Sequence, residues 1–313
     1  MLQQREGGAY AAVVGGVNID IGGQSFQPLI LSDSNPGRVR TSPGGVGRNI
    51  AHNLRLLGLP VRLIAAFGED LYADVIRRSC REIGIDTEDA VTVPGEATST
   101  YLYLADHTGE MHLAVSDMEI CRFLTPDTLE KLPLLRAAGA LVLDTNVPED
   151  TVRWLCTRVD VPIFADPVSV SKAEKLRPVL ARLHALKPNK LEAELLSGIR
   201  ITDEHDLNRA ADALLETGLQ EVYITMGKEG VLAADGKKRI RLSALPEVPV
   251  NTTGCGDAFM AALVWAHFRG LDAAESARAG LAAAAIAMAG RETVNPAMCE
   301  EKLLQKMKQL QSN

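Results

Sequence analysis

The sequence contains few aromatic residues, few cysteines and no long apolar run. Phe, Trp and Tyr make up 4% of the 313 residues, which argues against a surface that stacks unpaired nucleic-acid bases. The five cysteines lie far apart, without a CxxC pair or a histidine at zinc-site spacing, so we expect reduced thiols rather than disulfides or a zinc site. The alanine-rich stretch 279–290 is shorter than the ~18 apolar residues that a membrane span needs.

Basic residues are fewer than acidic ones. Lys and Arg number 33 against 40 Asp and Glu, which gives a net charge of −7. A chain of this sign has no general attraction for nucleic acid or for an anionic membrane, so neither is expected as a partner. The first residues do not have the pattern of a secretory signal peptide. Together with the reduced cysteines, this predicts a cytoplasmic protein.

Short apolar runs alternate along the chain with longer segments of helical periodicity. This alternation predicts βαβ units and a mainly parallel sheet. The predicted strands lie at 9–17, 61–67, 140–143, 162–165, 185–187 and 221–225. The predicted helices lie at 46–58, 71–84, 127–138, 149–159, 172–184, 190–197, 203–217, 257–267, 272–289 and near 298–311.

Two segments, 19–41 and 97–118, have the pattern of strands and turns without helices. The second predicts a hairpin that turns at Asp106-His107-Thr108-Gly109. Together the two segments predict a small β-sheet that covers the larger sheet as a lid. Neither a low-complexity linker nor an internal repeat interrupts the chain, so we expect residues 1–313 to form a single domain.

The segment Asn251-Thr252-Thr253-Gly254-Cys255-Gly256-Asp257 precedes a predicted helix. Glycines on both sides of Cys255 let the backbone N–H groups of Gly254, Cys255 and Gly256 converge at the start of that helix, which is an anion site. Asp257 lies in the first turn, where it could take a proton from a hydroxyl. Taken alone, the pattern also fits an ordinary helix start with an acidic first turn.

Together with Pro43-Gly44-Gly45-Val46-Gly47-Arg48-Asn49, this segment resembles the signatures of the PfkB (ribokinase-like) family of sugar and nucleoside kinases. The resemblance implies a ribokinase-like three-layer α/β/α domain with a mainly parallel central sheet and a small β-sheet lid. It implies that Asp257 is the catalytic base and that the amides of Gly254, Cys255 and Gly256 bind the migrating phosphoryl group. Cys255 stands where the family usually has Ala.

Two further segments resemble the family's nucleotide site. Asn189 and Glu192 match an Asn-x-x-Glu motif that orders Mg²⁺ against the phosphates of ATP, and Thr225, Gly227 and Gly230 match its nucleotide loop. The resemblance therefore implies ATP as the phosphoryl donor and Mg²⁺ as the cofactor. One amide and one carboxylate suffice for Mg²⁺, which keeps most of its water. The Gly-Lys pair is not a P-loop, because Glu229 stands where Ser or Thr is required.

One position departs from the family pattern. Asn251 replaces an Asp that often helps to hold a monovalent cation. Dependence on a cation such as K⁺ is therefore not expected, although K⁺ remains an alternative. A separate hypothesis concerns Cys255, because a helix N-terminus lowers a thiol pKa and oxidants would then inactivate the protein at this residue.

The acceptor site of the family corresponds here to Asn18, Asp20, Gly44, Gly45 and Asn49. A carboxylate that accepts hydrogen bonds from two vicinal hydroxyls suits a ribose, and the glycine backbone allows the sugar to approach closely. The match thus implies a ribose-like acceptor.

Further segments resemble the pseudouridine kinases of this family: residues 32–37, 41–58, 106–111 and 166–169, with Lys172. The implied reaction transfers phosphate from ATP to the 5′-hydroxyl of pseudouridine. Candidates for reading the uracil are Ser34, Asn35, Thr98 and Asp117, each of which equally fits turn or hairpin chemistry. Asp144, Asn146, Asp166 and Lys172 follow predicted strands, where α/β ligand crevices form, and are candidates for lining the acceptor or phosphate sites.

Two alternatives stay open. One is another kinase of the same family, of the ribokinase, adenosine kinase or fructokinase type, since the fold alone does not decide the acceptor. The other is a catalytically silent nucleoside-binding protein on the same fold. An exposed edge of the lid could also pair two copies of the chain as a homodimer.

Overall fold

The computed structural model describes residues 9–132 and 134–311, which form two main layers of helices around one large sheet, and a smaller sheet beside it. The strands are β1 (Ala11–Val14), β2 (Asn18–Ser25), β3 (Gly37–Gly44), β4 (Val61–Ile64), β5 (Ala66–Phe67), β6 (Val91–Thr92), β7 (Thr100–Ala105), β8 (Met111–Asp117), β9 (Ala140–Asp144), β10 (Ile163–Asp166), β11 (Ala185–Leu186), β12 (Glu221–Thr225), β13 (Val231–Asp235) and β14 (Arg239–Leu242). The α-helices are α1 (Val46–Leu56), α2 (Leu71–Glu82), α3 (Pro126–Leu129), α4 (Leu134–Ala137), α5 (Glu149–Arg158), α6 (Val170–Ala173), α7 (Lys190–Ser197), α8 (Glu204–Glu216), α9 (Cys255–His267), α10 (Ala273–Met288) and α11 (Glu300–Gln311).

The large sheet has the strand order β14-β13-β12-β11-β10-β9-β1-β4. All pairings from β4 to β12 are parallel, and β13 and β14 add an antiparallel edge. The parallel strands therefore end along one edge of the sheet, where doubly wound proteins form their ligand crevices.

Alternate residues of the central strands pack into two separate hydrophobic cores, one on each face of the sheet. In β1, Ala11 and Val13 pack into the core formed with α1, α9 and α10, whereas Ala12 and Val14 pack into the core formed with α5 and α8. This period of two is what a strand buried on both faces requires. The α/β/α fold class predicted from the sequence is confirmed.

The small sheet, formed by β3, β2, β7 and β8 in that order, corresponds to the two segments predicted as a lid. The predicted hairpin joins β7 and β8, and Gly109 takes a φ of +88° in its turn. The two edge strands, β3 and β8, are exposed along nearly their whole length.

Several predicted elements differ in detail. The helix expected over 127–138 is two short helices, α3 and α4. The helix expected over 172–184 is α6 followed by a 3₁₀ helix, Glu174–Arg182, which contains Pro178; a proline has no N–H to donate and so interrupts an α-helix. The strand expected over 61–67 is divided between β4 of the large sheet and β5, which pairs with β6.

The sequence analysis also missed β13 and β14, whose connecting turn is closed by Asp235 Oδ1 accepting from the N–H groups of Lys237 and Lys238. Among the residues described, no helix combines the length and the apolar character that a membrane crossing requires. The single-domain prediction for 1–313 stays a prediction.

Candidate active site

Polar residues from five neighbouring parallel strands meet at one edge of the large sheet. From β12 across to β9 they are Thr225, Lys187 with Asn189, Asp166, and Asp144 with Asn146. The fifth strand, β1, contributes the backbone of Gly15 and Gly16. The first turns of α9 and α1 also reach this edge, because Lys187 Nζ lies beside Gly256 and Gly47 lies against Gly15. Residues more than 200 positions apart in the sequence are thereby brought into one site.

Asp257 and Asn49 are joined by a hydrogen bond in which Asn49 Nδ2 donates to Asp257 Oδ2 at 2.9 Å. Burial raises the pKa of Asp257 to about 7, helped by Asp166 and opposed by Asn49 and Lys187. A carboxylate with this pKa is suited to exchange a proton with a hydroxyl near neutral pH. The contact between Asn49 and Asp257 is not among the sequence predictions, which place Asn49 against the acceptor.

Lys187 is a buried cation among carboxylates. Its Nζ lies 3.1 Å from Asp166 Oδ2, and the two side chains are 8% and 7% exposed. Burial lowers the pKa of Lys187, but Asp166, Glu192 and Asp257 together outweigh that effect and the pKa is raised. The ammonium therefore keeps its charge beside Gly256, where a Cβ would lie 3.3 Å from Nζ. Lys187 is absent from the predicted site, although a lysine closing a buried strand is itself a signal, since buried lysines are rare.

The loop that begins α9 depends on Gly254. This residue has a φ of +85°, and a Cβ there would overlap the carbonyl oxygen of Thr293. No side chain caps the helix start, so N–H groups of the first turn, next to Cys255 and Gly256, are available to an anion. Cys255 N–H itself makes only a long bond of 3.4 Å to the carbonyl of Thr252.

The lowered thiol pKa, on which the oxidation hypothesis for Cys255 rests, is not found. Burial raises the pKa of this thiol to about 11, and Asp257 adds to the effect. Cys255 Sγ also donates to the carbonyl of Ala284 at 3.6 Å. With a raised pKa the thiol stays protonated near neutral pH, and a protonated thiol is a poor target for oxidants.

Asn189 and Glu192 form a capping box at the start of α7. Asn189 Oδ1 accepts from the N–H of Glu192 at 3.0 Å, and Glu192 Oε2 accepts from the N–H of Asn189 at 2.8 Å. Burial raises the pKa of Glu192. Within the described part of the chain, Glu192 Oε1 accepts no hydrogen bond that the structure records, so one carboxylate oxygen is left for a ligand.

The predicted nucleotide loop lies next to this box. Thr225 N–H donates to the carbonyl of Pro188 at 2.9 Å, which places Thr225 beside Asn189. After Thr225 the chain turns, with φ values of +56° at Gly227 and +92° at Gly230. No atom comes within 4 Å of a Cβ built at Gly227, so this turn offers open space at the sheet edge.

On the acceptor side, Asn18 and Asp20 lie at the start of the small sheet. Asn18 Nδ2 donates to Asp20 Oδ1 at 2.7 Å. Burial raises the pKa of Asp20, opposed by Asn18 and Arg48. A side chain at Gly44 would overlap the Asp20 carboxylate, and Gly45 has a φ of +100°. Gly45 is thus required by its backbone conformation, and Gly44 by the close approach of the Asp20 side chain.

The side chain of Arg48 is buried beneath this glycine turn and was not predicted as a site residue. Its Nη1 donates to the carbonyl of Pro43 at 3.1 Å and its Nη2 to Ser79 Oγ at 2.7 Å. The guanidinium thereby fixes the backbone that leads into Gly44.

Thr98, which the sequence predicts to read the base, has a hydroxyl that is already engaged, and its base-reading role stays a prediction. Its hydroxyl, on a residue that is 2% exposed, donates to Asp70 Oδ1 at 2.8 Å and accepts from the N–H of Gly68 at 3.0 Å. Asn35 is likewise committed, because its carboxamide closes its own exposed loop through Ile30.

Three other predicted positions are partly committed. Ser34 lies in the same exposed loop as Asn35, and Asp117 Oδ1 accepts from the N–H of Glu119 at 3.2 Å. Asn251 Oδ1 accepts from the N–H of Thr253, and Asn251 Nδ2 donates to the carbonyl of Arg291. The roles predicted for these residues, including the absence of K⁺ dependence, stay predictions.

Comparison with known proteins agrees with this arrangement. The chain matches the pfkB family of carbohydrate kinases over residues 9–298. It is 39% identical to the pseudouridine kinase of Escherichia coli K12 over 290 residues, covering 92% of this chain and 93% of that protein. It is also 38% identical over 299 residues to YeiI, an uncharacterized sugar kinase of the same strain, covering 94% of this chain and 82% of that protein.

The fold is ribokinase-like. The crystal structure of ribokinase from Thermotoga maritima superposes with a TM-score of 0.86 at 24% identity, covering 96% of this chain and all of that one. The chain therefore belongs to the pfkB family of carbohydrate kinases.

Proposed function

We propose that this protein transfers the γ-phosphoryl group of ATP to the 5′-hydroxyl of pseudouridine, giving pseudouridine 5′-phosphate and ADP. The observation that carries phosphoryl transfer is Asp257, whose pKa is raised by burial to about 7, at the open start of α9 and close to the Lys187 ammonium. The acceptor is supported by the 39% identity to a pseudouridine kinase. Because YeiI is almost equally similar, another sugar or nucleoside is the alternative acceptor.

Asp257 acts as the general base in this proposal. Its carboxylate takes the proton of the acceptor hydroxyl while that oxygen attacks the γ-phosphorus and the bond to the β-phosphate oxygen breaks. The proton moves to Asp257 and the bonding electrons leave with ADP. Asn49 orients the carboxylate through its 2.9 Å hydrogen bond.

Charge on the migrating phosphoryl group is stabilised by the first-turn amides of α9 and by Lys187. The amides need no reorganisation because Gly254 already holds the loop open. Fixed donors of this kind, aimed at developing charge, supply a large part of the catalysis in phosphoryl transfer.

The residues present fit Mg²⁺, which prefers oxygen ligands and keeps several waters. Glu192 would hold it through the oxygen left over by the capping box, and Asn189 would hold its waters. When bound, Mg²⁺ neutralises phosphate charge during the transfer.

Asp20 and Asn18 bind the vicinal hydroxyls of the ribose in this proposal, and the backbone of Gly44 and Gly45 lies against the sugar. The small sheet acts as a lid that keeps water, the competing acceptor, away from the phosphoryl group. We further propose that two copies associate through the small sheet. The cell compartment is proposed to be the cytoplasm, as the sequence indicates.

The function is tested by measuring ADP release from Mg-ATP with pseudouridine, uridine, adenosine, ribose and fructose. We expect pseudouridine to have the highest kcat/KM. A higher value for ribose, fructose or adenosine would assign the protein to the alternative kinase type. Binding of pseudouridine without ATP turnover would favour the silent binding protein.

The variant that tests the base is Asp257→Asn, which preserves the shape of the side chain but cannot act as a base. We expect turnover to fall by about 10²–10⁴-fold, the usual contribution of general base catalysis. Calorimetry should give nearly unchanged affinity for the nucleoside. Turnover close to that of the wild type would refute the role of Asp257.

A further inference from the structure

Arg48, in the first turn of α1, carries a positive charge that the fold buries without an ion pair. The residue is 4% exposed. Within residues 9–132 and 134–311, the structure records no ion pair between its guanidinium and a carboxylate. Its buried Nε has no hydrogen-bond partner. An arginine stays protonated in proteins, and burying an unpaired charge is costly, so this charge calls for a reason beyond packing.

The recorded hydrogen bonds of the guanidinium go to neutral groups. Nη1 donates to the carbonyl of Pro43 on β3 at 3.1 Å, and Nη2 donates to Ser79 Oγ on α2 at 2.7 Å. Burial raises the pKa of the neighbouring Cys80 thiol in spite of Arg48, so the thiol stays protonated. His52, one turn further along α1, is neutral at pH 7, because burial and Arg48 lower its pKa to about 4. None of these groups balances the positive charge.

The charge that faces Arg48 from the small sheet is Asp20 of β2. Of the two residues whose charge favours the guanidinium, Cys80 and Asp20, only Asp20 is a carboxylate. On the α2 side, Arg77 and Arg81 face Cys80 and add positive rather than negative charge. The buried cation and the carboxylate of the proposed acceptor site therefore act on each other at a distance longer than that of an ion pair.

The backbone links the two side chains as well. The strand register pairs Ile19, which precedes Asp20, with Pro43, whose carbonyl accepts from Arg48. The next residue, Gly44, lies so close to the Asp20 carboxylate that a Cβ would overlap Oδ2. Arg48 thus fixes the strand against which this carboxylate lies.

The separation of Arg48 from Asp20 has a chemical consequence. A carboxylate only accepts hydrogen bonds, which suits a pair of donating hydroxyls, whereas a protonated carboxyl group presents an O–H and loses an acceptor. Burial favours the protonated form, and a nearby cation opposes it. A direct ion pair would occupy the oxygens that a ligand needs. In the described part of the chain, Asp20 Oδ1 accepts from Asn18 and Oδ2 has no recorded hydrogen bond.

We infer that Arg48 is a positioning residue for the acceptor: its buried charge, held off the carboxylate by Pro43 and Ser79, keeps Asp20 ionised and open to the hydroxyls of the acceptor. This inference rests on the proposed function, because it takes Asp20 to bind the acceptor. It assigns to Arg48 no contact with the acceptor itself.

The test measures the ionisation of Asp20 by NMR in ligand-free protein labelled at the aspartate carboxyl carbons, with Asp20→Asn to assign the signal. Arg48→Met removes the charge and should raise the midpoint of the Asp20 titration by about one pH unit. Arg48→Gln, which is also neutral but keeps an N–H donor for Pro43, should do the same. Arg48→Lys keeps the charge and should leave the midpoint within about 0.3 unit of the wild type. The titration reports on folded molecules, so a partial loss of folded protein does not imitate the shift.

The matched control is Arg78→Met, which removes an exposed arginine of α2. Solvent and salt screen an exposed charge, so the midpoint of Asp20 should not move in this variant. A midpoint that is equal in the wild type and in both neutral variants of Arg48 would overturn the inference.

Calorimetry with pseudouridine in the absence of ATP measures the consequence for binding. Asp20 works when deprotonated, so a raised midpoint extends the pH range in which it is protonated and binding is weak. At a pH below both midpoints, Arg48→Met should bind about tenfold more weakly than the wild type, and above both midpoints equally well. Equally weakened binding at every pH would overturn the inference, because Arg48 would then merely support the fold of the site.

The same measurements separate this inference from the proposed function. If the wild type binds ribose but not pseudouridine, the proposed acceptor is wrong, and the same pH-dependent loss measured with ribose would still support the inference. A shifted Asp20 midpoint without a pH-dependent change in binding would overturn the inference and leave the proposed function intact. No binding of either compound to the wild type would overturn both.

Discussion

At the scale of single residues, the site depends on charged side chains that the fold buries. Their hydrogen-bond and charge partners offset the loss of water only in part. Asp257 has one hydrogen bond from Asn49 and one cation, Lys187, in its neighbourhood, against two further carboxylates, Asp166 and Asp144. The net effect is a pKa near 7, which is about three units above that of an ordinary aspartate. The stability lost by burying this carboxylate is characteristic of a functional site.

The hydrogen bond from Asn49 predicts a change in pH dependence. Replacing Asn49 by Leu removes a donor that favours the charged form of Asp257, so the pKa of the base should rise by about one unit. Because the base works when deprotonated, kcat/KM of the wild type should increase with pH through about 7. In Asn49→Leu this midpoint should move to higher pH. Rates of ADP release from pH 5.5 to 9 measure both profiles.

A merely structural role for Asn49 gives a different result. Partial loss of folded protein would lower the whole profile without moving its midpoint. A profile of unchanged midpoint in Asn49→Leu would therefore contradict the proposed coupling between Asn49 and Asp257.

Sequence reasoning reaches some of these residues and not others. Asp257 and Gly254 are predictable, because a glycine-rich turn before a helix is a local pattern. Lys187 is missed because its importance comes from Asp166 and Gly256, which reach it only through the sheet order. The contact of Thr98 with Asp70 is missed because nothing local in the sequence points to a partner 28 positions away.

At the scale of elements, Thr98 and Asp70 join the small sheet to the rest of the molecule. Asp70 caps α2 by accepting from Ala73 N–H at 2.8 Å, and its other oxygen accepts from Thr98 N–H at 2.7 Å. Thr98 precedes β7, so this contact fixes the point at which the chain enters the small sheet. The capping box of α7 has a similar double use, since it shapes both a helix start and a ligand site.

The Thr98 contact predicts a loss of stability when its hydroxyl is removed. Thr98→Val keeps the shape of the side chain but leaves Asp70 Oδ1 and the N–H of Gly68 each with one partner fewer. We expect the free energy of unfolding to fall by about 1–3 kcal/mol, the cost of leaving buried polar groups unpaired. Urea unfolding measures it. An unchanged midpoint together with a raised KM for pseudouridine would contradict this expectation and support the base-reading role.

Elements with strong periodicity are predicted well, and those set by tertiary context are not. Strand β12 and helix α7 agree with the predicted ranges, since hydrophobic period and capping residues are local. The division between β4 and β5 is not predictable, because both halves are equally apolar and only their partners differ. Strands β13 and β14 are short antiparallel edge strands, in a region for which the sequence analysis predicts neither a strand nor a helix.

At the scale of the whole molecule, the order of strands makes the site. The alternation of strands and helices predicts a parallel sheet but not its order, so the sequence does not reveal that β1 lies between β4 and β9. That order brings Gly16 against Asn146 and the start of α1 against the end of β9. The family resemblance supplies the expected set of residues, while their contacts come only from the structure.

The small sheet has one apolar face. The strand register puts Val39 and Leu104 in line with Leu113, and Leu102 beside Val115. These five side chains are 40–70% exposed, an unusual concentration for the surface of a monomer. The opposite face carries Asp20 and therefore faces the acceptor. An apolar face next to a fully exposed edge strand, β8, is the basis for proposing that a second copy covers it.

Leu113→Glu places a charge in the middle of this apolar face. If two copies bury this face, the charge has no partner there, and the dissociation constant of the dimer should rise at least about tenfold. Sedimentation equilibrium at protein concentrations of about 0.5–50 µM, chosen to bracket the dissociation constant of the dimer, measures the change. Ser116→Glu adds the same charge to the other face of β8 and should leave the association intact. A wild-type chain that stays monomeric throughout, or equal dissociation of both variants, would mean that the apolar face is not the interface.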